Sequence, residues 1–183
     1  GKDDPVYAGT LNQQGAIAIA LGLAREVTNA QSRAHALAFA SLQHQFRSDS
    51  RRVSVLIQEM LALTADQGLR LWRAYGSAMH GWLLTSHGDI AEGIDEIQAN
   101  LAELRAFGAL HFLPYFLCQL ASAYRDNGRP TAGLEILDQA HAMTEATEER
   151  FWEAEVSRLR GEMLATQALG NPAEAERHFV QAM

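Results

Sequence analysis

The chain has 183 residues, enough for one ordinary domain or a short array of repeats. With 48% apolar residues, 20% charged residues and only 4 prolines, it is neither a disordered tail, a collagen-like chain nor a mucin-like stalk. The formal charge of -7 falls wholly after residue 68, and no basic stripe interleaved with aromatics offsets it, which disfavours nucleic acid and anionic lipid as partners.

Taken in chain order, residues 1–11 form an irregular segment and residues 12–183 a single helical domain. Apolar residues recur three and four apart, as in Val53, Leu56, Ile57, Met60 and Leu61, or Ile90, Ile94, Ile97, Leu101 and Leu104. Alternating strand patterns are missing and alanine is abundant, so the fold class is all-α. Breaks fall at Ser48-Asp49-Ser50, Gly68, Gly88-Asp89, Gly108, Asn127-Gly128-Arg129-Pro130, 147–150 and Gly170-Asn171-Pro172, where glycine ends helices and proline opens them. The spacing predicts helices over 12–28, 31–47, 51–67, 70–87, 90–107, 111–126, 130–146, 150–168 and 172–182.

The breaks are periodic. Gly88 and Gly128 are 40 apart, as are Gly68 and Gly108, and Trp72, Phe112 and Trp152 follow in the same register. Small residues recur at Ser41, Gly81, Ala121 and Gly161, where paired helices must approach closely. Helical hairpins repeated about four times, incomplete at both ends, are expected to stack into a right-handed superhelix, a solenoid of antiparallel hairpins with a period of roughly 40 residues. The apolar faces at the ends of such an array also allow pairing in a homodimer.

The stretch Leu120-Ala121-Ser122-Ala123-Tyr124, with Gly128, Gly133, Leu137 and Ala140, resembles the tetratricopeptide (TPR) pattern of a small residue, an aromatic three later, a glycine turn and a small-then-bulky second helix. It departs from that pattern in its longer period, in Gly93 and Gly133 where alanine is usual, and in Asn100 where a small residue is usual. Phe151 to Glu155, Arg158 to Glu162 and Gly170 to Glu176 are similar to the C-terminal repeat arrays of large bacterial signalling proteins. In those, the array follows an ATPase module and often a class III adenylate cyclase domain, or belongs to a transcriptional activator with the same kind of ATPase. The resemblance covers about residues 30–183. No Gly-rich loop followed by Lys-Ser or Lys-Thr occurs, so any ATPase or cyclase activity of a parent protein is expected outside this chain, which reads as an excised fragment.

The resemblance implies that the first helix of each pair lines a concave groove. Its columns in the 40-residue register are His35, Tyr75, Tyr115, Glu155; Ala38, Ala78, Cys118, Arg158; Leu42, Trp82, Ser122, Glu162; and Gln45, Thr85, Arg125, Ala165. From these, Tyr75, Trp82, Tyr115, Ser122, Arg125, Arg158 and Glu162 form the expected ligand or partner groove, with aromatics to contact a peptide and arginines to pair with its carboxylates. The alternative is that the aromatics pack between adjacent repeats.

Catalytic, metal and cofactor sites are not expected. His80 and His87 sit seven apart, about 10 Å along a helix, too far to share one ion, and His141 with Glu145 offers only two ligands. Cys118 lies in an apolar run and reads as a small buried hydrophobe. As the single cysteine it forms no internal disulfide, which suits a reducing cytoplasm. Glu145, Glu148, Glu149, Glu153, Glu155 and Glu162 read as helix-start and surface charges, Arg158 to Glu162 as a surface pair. No stretch reaches the roughly 18 apolar residues of a membrane span, and the first residues lack the pattern of a signal peptide. The expected function is a non-catalytic protein-interaction or scaffold module of a larger cytoplasmic signalling protein, binding a protein, a peptide or other domains of its parent. The alternative is a peptide or small-molecule sensor that regulates an upstream ATPase or cyclase.

Overall fold

A computed structural model describes residues 29–147, 150–166 and 172–183. The expected segment 1–11, the helix 12–28, and Glu148, Glu149, Gly170 and Asn171 lie outside the described residues. Among the described residues every regular element is helical: α1 (Ala30–Phe46), α2 (Ser50–Gln67), α3 (Arg70–His87), α4 (Ile90–Ala106), α5 (Leu113–Asp126), α6 (Pro130–Thr147), α7 (Glu153–Thr166) and α8 (Pro172–Gln181). The fold class is therefore all-α. None of these helices is long and apolar enough to cross a membrane.

Local chemistry sets the boundaries. The Asn29 side chain accepts hydrogen bonds from the Gln31 and Ser32 amides at the start of α1, and Asp49 accepts one from Arg52 at the start of α2. Between helices the backbone turns left-handed at Ser48, Gly68, Gly88, Gly108 and Gly128, a closure every 20 residues. At Gly68 (φ 65°) the amide returns to the Thr64 carbonyl, a conformation that glycine adopts without a Cβ penalty.

Two starts differ from expectation. Short 3-10 turns at Leu110–Phe112 and Arg150–Trp152 precede α5 and α7, where continuous helices over 111–126 and 150–168 were predicted. For the first, Pro114 is the cause: it has no N–H to return to the Leu110 carbonyl, which instead accepts from the Leu113 amide one residue earlier.

The described residues divide into two compact units, one ending at Gly76 and the other beginning at Ser77. The sequence marks no boundary there, because the division falls within α3. In the first unit α1 packs against α2 over a core that includes Leu37, Val53, Leu56, Ile57 and Met60. Arg33 bridges to Glu59 at 2.7 Å, and the His35 ring stacks on Trp72 at 5.1 Å.

The second unit contains the hairpins α5/α6 and α7/α8, with α4 against α5, α6 against α7 and α5 against α7. Ile94, Ile97, Leu104, Phe116, Leu117, Leu137, Leu159 and Met163 fill its interior. The small-residue register marks real close approaches. A Cβ on Gly81 would lie 2.9 Å from the Gly93 carbonyl, one on Gly133 would lie 3.0 Å from the Ala121 carbonyl, and Gly161 sits beneath the Phe179 ring.

Candidate functional site

Of the residues expected in the groove, the structure brings a charged subset together on α5 and α7 of the second unit. Ser122 and Arg125 lie one turn apart on α5, while Glu155, Arg158 and Glu162 occupy successive turns of α7. Arg158 grips Glu155 through two hydrogen bonds of 2.7 Å, from Nε and Nη2, and gives Nη1 to Glu162. Glu162 offers its other oxygen to Arg125, whose Nη2 also donates to Ser122 Oγ at 3.0 Å and whose Nε donates to Asp126 at 2.9 Å. One chain of charge-assisted bonds thus runs from Asp126 to Glu155 across two helices. The Arg158–Glu162 pair belongs to this half-buried network rather than standing alone on the surface.

Hydrogen bonds from Arg158 to Glu155, and then the charge of Glu162, hold the Arg158 guanidinium charged even more firmly than usual, against the opposing effect of its burial. Bidentate pairing fixes the planes of both groups, which favours recognition of planar partners over loose charge attraction. Beside the network, Trp82, Thr85 and Ser86 of α3 and Gln119, Ser122, Ala123 and Asp126 of α5 line a small cleft of about 130 Å³. Ser122 and Asp126 belong to both features. Trp82 is half-buried there and presents part of its indole to solvent.

The other two expected groove residues lie elsewhere. Tyr75 is 1% exposed and Tyr115 2%, so each sits in the core. The Tyr115 ring packs against Trp152 at 5.1 Å, and its hydroxyl donates to Met79 Sδ at 3.1 Å. Glu155 was placed in a groove column but not among the expected contacts, although its three-residue spacing from Arg158 was a readable signal of the clamp.

Cys118 is buried on α5. Burial pushes its thiol well above the ordinary range, Glu155 pushes it further, and Arg158 opposes them weakly. Burial raises the Tyr75 phenol likewise. Both groups stay protonated when folded but ionise on unfolding above their ordinary values of about 8.5 and 10. The unfolded chain then binds fewer protons than the folded one, so stability is full below about pH 8.5 and falls as pH rises through these values. We expect Cys118 to react with iodoacetamide only when the protein is unfolded, and urea midpoints to decline from pH 8 to 10.5. Rapid labelling of native protein would contradict this burial.

His80 Nδ1 faces Glu96 Oε2 at 2.8 Å, and His141 lies 3.7 Å from Glu145. Among the described residues no group of three His, Cys, Asp or Glu side chains is placed to hold a metal ion.

No family model matches the chain. An uncharacterized protein of Rhizobium meliloti (strain 1021) is 25% identical over 134 residues, which is 73% of this chain but 13% of that protein. The chain thus spans a small fraction of the length of the curated relative it matches.

Proposed function

We propose that this chain is a non-catalytic, tetratricopeptide-like protein-interaction or scaffold module of a larger cytoplasmic signalling protein, built as a right-handed solenoid of hairpins with a period near 40 residues. Left-handed closures every 20 residues and close approaches in the 40-residue register support the repeat reading. The observation that carries the interaction reading is the network from Asp126 to Glu155 beside the half-buried Trp82.

Arg125 and Arg158 are held in fixed orientation, Glu162 lies between them, and an indole stands next to a small cleft. A partner segment with a carboxylate and an apolar side chain would find an arginine to pair with and an aromatic surface to cover. Catalytic groups of the larger protein lie outside this chain in this reading.

Affinity capture from cell lysate tests it, comparing the native chain with a Trp82→Ala, Arg125→Ala, Arg158→Ala variant shown to be folded by circular dichroism. A protein enriched by the native chain and depleted at least tenfold by the variant is the expected result. Equal enrichment by both would remove this surface from consideration.

A further inference from the structure

A second, larger cleft of about 430 Å³ lies in the second unit among α6, α7 and α8, away from the charged network. It takes its floor from Val156 and Ser157 of α7, and its walls from His141 of α6 and from His178 and Gln181 of α8. Glu153 and Arg160 line it as well, seven residues apart on α7 and so about 10 Å apart along the helix axis.

The order of groups along the cleft follows from the packing. Arg160 pairs with Asp138 at 2.7 Å, which sets residue 138 of α6 level with residue 160 of α7. Gly161 lies beneath the Phe179 ring, which sets residue 178 of α8 at the same level. Arg160 and His178 therefore stand at one end. His141, Ser157 and Gln181, each about one turn along its own helix, occupy the middle, and Glu153 marks the opposite end.

The cleft is thus polarised, with a guanidinium and an imidazole at one end, hydrogen-bonding groups between, and at the other the Glu153 carboxylate, which Arg150 approaches to 3.8 Å. Nδ1 of His178 is buried and has no hydrogen-bond partner among the described residues. A buried polar group left unpaired is unfavourable, and in the tautomer that carries its proton on Nδ1 an acceptor delivered into the cleft would satisfy it.

We propose that this cleft binds a short zwitterionic peptide of three residues. Its terminal carboxylate meets Arg160 and His178, its amide groups meet His141, Ser157 and Gln181, and its ammonium meets Glu153. Three extended residues span about 10 Å, the separation of the two charged ends. The volume suits a ligand of that size. The overall charge of -7 repels free anions, so a ligand offering a cation at one end as well as an anion at the other is the better match. This inference goes beyond the interaction surface proposed above and stands whether or not a protein docks there.

The test is an NMR titration of the whole chain, following the ring protons of His141 and His178. The probes are trialanine, N-acetyl-trialanine amide with both charges blocked, and alanine. Trialanine is expected to shift both histidines saturably at millimolar concentration, and the other two probes to leave them unmoved.

Two variants at partly exposed positions sharpen the outcome. Glu153→Gln should weaken trialanine binding about tenfold by removing one charged hydrogen bond. Asp138→Asn, by releasing Arg160 from an exposed ion pair, should tighten it about two- to fivefold. Equal shifts by the blocked peptide, no saturable shift by trialanine, or unchanged affinity in Glu153→Gln would each overturn the proposal.

Discussion

Replacing Gly93 by alanine should lower the thermal midpoint of the protein by about 5–10 °C, a loss of roughly 2–3 kcal/mol, although alanine is the better helix former by about 1 kcal/mol. A Cβ at this position would lie 2.5 Å from the Gly81 carbonyl oxygen, 2.5 Å from Thr85 Cγ2 and 2.9 Å from the Thr85 amide nitrogen. Two of these three neighbours are backbone atoms of a packed helix, which cannot rotate aside as a side chain can. Relief requires α4 to move away from the C-terminal half of α3, which opens the contacts of Ile94 and Ile97 in the core beneath.

Gly76 is the control, because a Cβ there would meet Met60 Cε at 2.9 Å and Leu61 Cδ2 at 3.0 Å, both tips of flexible side chains. Gly76→Ala should fall within about 1 kcal/mol of the native protein, since the helix-propensity gain offsets a small repacking cost. Thermal melts followed by circular dichroism separate the two. A Gly93→Ala protein as stable as the native chain would mean that this helix crossing is looser than the structure shows.

That crossing was legible in outline from the sequence, and the reason is physical. Helix ends here are punctuated by glycine and proline, whose backbone restrictions act locally, so the boundaries of α1 to α4 fall within one residue of the spans read from the chain. The small-residue register marks where backbones meet at Gly81 and Ala121, and where the Phe179 ring lies on the helix at Gly161, because bulk alone decides what fits there. The 3-10 turn at Leu110–Phe112 was missed because a proline six residues after a glycine reads equally well as a helix entry.

The site was legible only within single helices. The link from Arg158 to Glu162 follows from four-residue spacing, but that from Arg125 to Glu162 joins residues 37 apart and depends on how α5 meets α7. The peptide-sized cleft gave no local signal. Arg160 and His178 become neighbours only through the level at which α8 crosses α7.

The two tyrosines show most clearly where helical spacing runs out, because an aromatic at a repeating position fits a groove wall and a core equally well. Tyr115→Ala should therefore cost about 3–5 kcal/mol of stability, the range for truncating a fully buried aromatic. The ring packs against Phe116 at 4.8 Å and Trp152 at 5.1 Å, and its removal leaves a void between α5 and the turn before α7. Tyr115→Phe keeps the ring and loses only the hydroxyl donated to Met79 Sδ, a weak acceptor, so it should cost less than about 1 kcal/mol. Tyr75, packed near Trp72 at 6.1 Å, should follow the same pattern in its own unit. Urea denaturation of the four single variants reads the result directly. If Tyr115→Ala unfolded at the native urea concentration while losing a bound partner, the ring would belong to a surface; a midpoint shift confined to the alanine variants assigns it to the interior.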